Sequence, residues 1–129
     1  MTNTCLNPST IAAPVGAYSH GVIAAGTGQL LHVSGQVGIL PDGTLADGLV
    51  EQARAAWTNL IAILQAAKMD ISHVVKVSTF LTDAGDLKHL IPVRSGFLGD
   101  ARPASTLLIV KALARPEWLI EIEAVAYRG

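Results

Sequence analysis

The sequence predicts an α+β domain in which a sheet is covered by two helices on one face. Three observations lead there. Apolar side chains recur at three- and four-residue spacing from residue 50 to 67, which is helical periodicity. Short aliphatic and β-branched runs bounded by Gly, Pro and Asp recur on either side of it, which is the pattern of strands. The length, 129 residues with half of them apolar, suits a single domain spanning residues 1–129 with one core.

The elements follow in order. Residues 1–10 read as a loose leader. His20 to Ala25 and Leu30 to Gly35 read as two strands around the turn Gly26-Thr27-Gly28-Gln29. Pro41-Asp42-Gly43-Thr44 is a strong turn. The helix from Val50 to Ala67 carries Ala53, Ala56, Trp57, Leu60, Leu64 and Ala67 inside, with Gln52, Arg54, Asn59 and Gln65 outside. Val74 to Leu81 is a strand and Asp83 to Asp86 a turn. A second helix lies between Leu87 and Leu98. An interior proline costs about 3 kcal/mol, so Pro92 places the start of that helix near Ile91. Ser105 to Val110 and Trp118 to Tyr127 are the last strands.

Those last strands bear on assembly. Alternation puts Ile120, Ile122, Ala124 and Ala126 on one face and Leu119, Glu121, Glu123, Val125 and Tyr127 on the other. The preceding strand is apolar on both faces, Leu107 and Ile109 against Leu108 and Val110. Two helices cover only one side of such a sheet, so the other is expected to be covered by self-association.

Composition excludes several function classes. No apolar run reaches the ~18 residues that span a bilayer, and the start lacks the pattern of a signal peptide. The single cysteine, Cys5, has no internal partner and no nearby His, so a reducing cytoplasm is the expected compartment. Net charge is −1 and the nine Lys and Arg are scattered, leaving no basic stripe for a nucleic acid. His32, His73 and His89 lack metal-ligand spacing, so neither a metal nor another cofactor is expected.

Four segments together resemble the Rid family (RidA/YjgF): Pro14-Val15-Gly16-Ala17-Tyr18-Ser19-His20, Val33-Ser34-Gly35-Gln36-Val37, Pro103-Ala104-Ser105-Thr106, and Ile120-Glu121-Ile122-Glu123. The resemblance implies a chorismate-mutase-like Rid fold, with a mixed sheet covered by the two helices. It further implies a homotrimer with sheets inside and helices outside, and three sites in the clefts between subunits for a small-molecule enamine or imine. Glu121 is then the catalytic residue that holds the attacking water. On the residues alone, a Glu-x-Glu strand is a solvated sheet face, and that reading is kept for Glu123. A carboxylate half-buried in a cleft suits proton shuttling.

The other site residues carry two readings each. Tyr18 either stacks on a planar substrate or pins a strand start. Ser34 and Gly35 either cradle an anion or carbonyl, or serve a bulge. Ala17 stands in place of the family's usual proline, Leu107 where deaminating members often carry cysteine, and Ile91 where an asparagine is common. The main departure is Ser105, at the position of the arginine that grips the substrate carboxylate. Serine offers one hydrogen bond in place of a charged fork. Arg102 and Arg94 are the candidate substitute cations, or else ordinary surface charges. The resemblance thus implies a divergent deaminase or related hydrolase acting on a C=N substrate larger than 2-aminoacrylate. A non-catalytic ligand-binding trimer is the alternative, and the ribonuclease activity ascribed to some Rid relatives is disfavoured by the missing basic surface.

Overall fold

Four strands and two helices build the core of this computed structural model, which describes residues 3–129. In chain order the elements are β1 (Thr4–Leu6), β2 (Gly21–Ile23), β3 (Gln29–Val37), α1 (Gly48–Ala66), β4 (Val74–Leu81), α2 (Leu87–Leu98), β5 (Ala104–Ile109) and β6 (Ile120–Arg128). The main sheet has the order β3-β6-β4-β5. It is mixed, because β4 and β5 run parallel, joined through α2, while β6 is antiparallel to both its neighbours.

The expected alternation along β6 is present. Ile120, Ile122, Ala124 and Ala126 are buried with Val77 and Leu81 of β4 beneath both helices. Helix α1 contributes Trp57, Leu60 and Leu64 to this core, and α2 contributes Leu90, Val93 and Leu98. The Trp57 ring stacks on Phe97 of α2 at 5.8 Å, tying the helices together.

Four expectations need correction. First, the stretch 1–10 is not a loose leader where it is described: Thr4–Leu6 pairs antiparallel with Gly21–Ile23, while residues 1 and 2 lie outside the described residues. Second, β2 and β3 therefore do not form a hairpin. The intervening Gly28 packs instead on the end of β6, where an added Cβ would lie 2.7 Å from the Tyr127 ring, and Tyr127 Oη donates to Ala25 O. Third, α2 begins at Leu87, so Pro92 sits in its interior. Burial of Leu90 and Val93 on the sheet outweighs the lost backbone hydrogen bond. Fourth, Gln52 is buried rather than outside. Its amide donates to Glu117 O and accepts from Leu119 N, fixing the approach to β6.

Candidate functional site in two half-sites

The strand register divides the expected site residues between the two faces of the sheet. Ser105 and Leu107 are paired with Val77 and Thr79 of the buried, helix-covered face. Glu121 and Glu123 are paired with Phe80 and Ser78, whose side chains project from the opposite face. Within one chain, then, Glu121 and Ser105 belong to different surfaces.

The first half-site is a cleft of about 580 Å³ at the β5 edge. Its floor is Ser105 and Leu107. One wall is α2, through Leu87, Ile91, Arg94 and Ser95, positions one and two turns apart on a single helix face. The other wall is the loop Val15–Tyr18. That loop is held in place by Ser19, which is buried, forms a parallel bridge with Ala104, and donates its backbone N–H to Pro103 O at 3.0 Å and its hydroxyl to Arg102 O. Ser19 thus carries the pinning role and leaves the Tyr18 ring to line the cleft, edge-on to His20.

The two candidate cations separate here. Arg102 is exposed, does not line the cleft, and donates to Gly99 O and Ala101 O at 2.9 and 2.8 Å. Arg94 does line it, half-buried, and among the described residues has no ion pair and no side-chain hydrogen bond. Burial pulls its pKa below the ordinary arginine value, since no neighbouring anion compensates the lost hydration.

The second half-site is on the outer sheet face. Val33 pairs with Ala124 and Gln36 with Ile122, so Ser34 and Gly35 bulge opposite Glu123. The bulge brings Gly35 under the Glu121 side chain, and a Cβ at position 35 would overlap the carboxylate, lying 2.7 Å from Glu121 Cδ. Gly35 thus sits in the bulge, and its lack of a side chain is what lets the Glu121 carboxylate lie against its backbone. Ser34 is exposed beside it. Glu121 also borders an open recess of about 350 Å³ with Phe80, Leu113 and Glu123.

Two residues of the first half-site were not anticipated, Leu87 and Ser95. Their spacing from Ile91 is helical, and starting the helix at Leu87 would have revealed it. Among the described residues no group of three or more His, Cys, Asp or Glu side chains is arranged to hold a metal ion. No helix is long and apolar enough to cross a membrane among those residues.

Comparison with known proteins then decides the family. The family model described as Endoribonuclease L-PSP, the YjgF/Rid family, matches residues 9–128. The chain belongs to the Rid family. Among its Rid relatives, RutC family protein y4sK of Sinorhizobium fredii is 43% identical over 121 residues, 91% of this chain and 93% of that protein. The 2-iminobutanoate/2-iminopropanoate deaminase of Capra hircus is 37% identical over 125 residues, 94% of this chain and 88% of that enzyme. The Rid protein YyfB from Yersinia pestis, of unknown function, has a solved structure that matches with a TM-score of 0.87 at 32% identity, covering 98% of each chain. The Rid fold inferred from the sequence is thus the observed one.

Proposed function

We propose that this protein is an imine or enamine deaminase of the hydrolytic type, working in clefts shared between the subunits of a homotrimer. The observation that carries this reading is the split site. Glu121 and the Ser34–Gly35 bulge lie on one sheet face, and Tyr18, Ile91, Ser105 and Leu107 gather on the other side at the β5 edge. One copy of the chain cannot bring the halves together, whereas a second copy laid on the outer face can. Exposed Leu108 on that face, 48% accessible, supports such a contact.

The chemistry in the assembled cleft is as follows. Glu121 holds a water and accepts its proton as the water oxygen bonds to the C=N carbon. The π electrons move to nitrogen, which takes back from Glu121 the proton removed from water, giving a carbinolamine. Glu121 then accepts the carbinolamine O–H proton and passes it to the amino nitrogen as C=O forms and the C–N bond breaks, releasing ammonia and leaving Glu121 as the carboxylate. The Ser34 hydroxyl and Gly35 N–H steady the substrate's polar end. The cleft volume of about 580 Å³ favours a substrate larger than 2-aminoacrylate.

The test is ammonia release from imines generated enzymatically in the assay. Glu121→Gln keeps size but cannot take the proton, and is expected to lower turnover roughly 10²–10⁴-fold with little change in melting temperature. Glu123→Gln is expected to be nearly silent. Ser105, which offers a single hydrogen bond where the family resemblance leads one to expect an arginine, favours the second reading, a non-catalytic ligand-binding trimer. That reading prevails if no imine is turned over by the wild type, or if both substitutions are equally silent.

A further inference from the structure

Arg94 is the one arginine of this chain without a protein partner among the described residues. The sequence has five arginines. Arg54 pairs with Glu51 at 3.5 Å, Arg102 donates to two carbonyls of its own loop, Arg115 lies over the Trp118 ring, and Arg128 donates to Lys68 O. Arg94 has no such contact, yet it is half-buried in the cleft beside Ser105. Among the described residues no Asp or Glu lines that cleft, and its other walls are mostly apolar. Placing a charge in such surroundings without a counter-ion is unfavourable, and an anionic ligand relieves it.

We propose that Arg94 is the anion anchor of this cleft: its guanidinium fork takes the carboxylate of an imino or keto acid whose apolar side chain rests on Ile91 and Leu107. This deepens the proposed function, on which it rests for the identity of the reaction. The anchor rises from helix α2 and not from strand β5, so the carboxylate sits against the helix wall. The floor around Ser105 and Leu107 is left open to a bulky side chain. Arg94 is therefore a specificity-determining residue, and the class of ligand it selects is a 2-oxo or 2-imino acid with an aromatic or long aliphatic side chain.

Binding tests this without requiring turnover. Isothermal titration of the full-length protein with phenylpyruvate, pyruvate and the uncharged phenylacetone is expected to rank them in that order for the first two, with phenylacetone about tenfold or more below phenylpyruvate. Arg94→Gln is expected to weaken phenylpyruvate about ten- to hundredfold and leave phenylacetone unchanged. Arg54→Gln, which removes a paired surface charge, is expected to leave phenylpyruvate binding unchanged. Should Arg94→Gln fail to fold by circular dichroism, Arg94→Lys carries the comparison, retaining charge but losing the fork, and is expected to bind phenylpyruvate more weakly than the wild type. The proposal is overturned if the folded Arg94 variant binds phenylpyruvate like the wild type. It is equally overturned if the wild type binds phenylacetone as tightly as phenylpyruvate, or binds no keto acid at all. Arg94-dependent binding in a protein that hydrolyses no imine upholds the anchor and counts against the deaminase reading alone. Imine turnover with Arg94-independent binding does the reverse.

Discussion

Two glycines that look alike in the sequence have opposite consequences if a methyl group is added. At Gly35 the added Cβ meets the far end of the Glu121 side chain, which can swing away. Gly35→Ala is therefore expected to keep the melting temperature close to wild type while removing most turnover, because the carboxylate is displaced from its working position. Thermal melts and ammonia-release assays on one preparation check both halves. At Gly28 the added Cβ meets the Arg128 carbonyl and the Tyr127 ring, neither of which moves without shifting β6. Gly28→Ala is expected to cost about 1–3 kcal/mol in denaturant unfolding. Glu121 and Gly35 were both legible in the sequence as site candidates. Their direct contact was not, because it depends on a bulge that sets β3 against β6 across some 85 residues of intervening chain.

At the scale of elements, α2 and the turn before β4 carry the local tests. Pro92 lies inside α2, where its ring removes one backbone hydrogen bond. Pro92→Ala restores that bond at an exposed position and is expected to stabilise the protein by about 1–3 kcal/mol, read from the shift of the urea midpoint. Asp70 caps the 3-10 turn Ile71–His73 and accepts from Ser72 N at 2.9 Å. The Ser72 hydroxyl holds its carboxyl below the ordinary value of 3.8. A lowered folded-state pKa stabilises the protein above that ordinary value, and the contribution is lost as the pH falls through the folded value. Asp70→Ala is expected to cost about 1 kcal/mol at neutral pH. The cost shrinks as the pH drops below 3.8, and the small exposure-screened effect is measured by urea unfolding across that range. The sequence placed both helices and the last strands, but set the start of α2 a turn too late, because the proline penalty is local and the burial that overrides it is not.

For the whole molecule the decisive surface is the uncovered side of the sheet. Both helices sit on the face that carries Val77 and Ile122, leaving Leu108, Phe80 and Val125 on the other. Sedimentation equilibrium at micromolar concentration is expected to give a trimer. Leu108→Asp places a charge on that face and is expected to shift the equilibrium to monomer and to abolish imine turnover with it, since in the proposed trimer each subunit supplies only half of a site. A wild-type protein that remains monomeric, or a monomeric Leu108→Asp that keeps full turnover, sinks the shared-site reading.

The amino-acid sequence by itself determined the fold family, the alternation of β6 and the residue types of the candidate site, because helical and strand periodicity and short motifs are properties of neighbouring residues. Ser105 was visible there as a departure from the arginine that the family resemblance leads one to expect. Tertiary structure alone decided that Ser105 and Glu121 point to opposite sides of one sheet, since that follows from how β4 pairs with β5 and β6. It also set Arg94 and Arg102 in different surroundings. Both are basic residues close to β5 in the chain, but Arg102 is consumed by carbonyls of its own loop, while the path of α2 over the sheet edge carries Arg94 into the cleft with no counter-charge among the described residues. Partnering of a charge is settled by what folds against it, and no pattern along the chain records that.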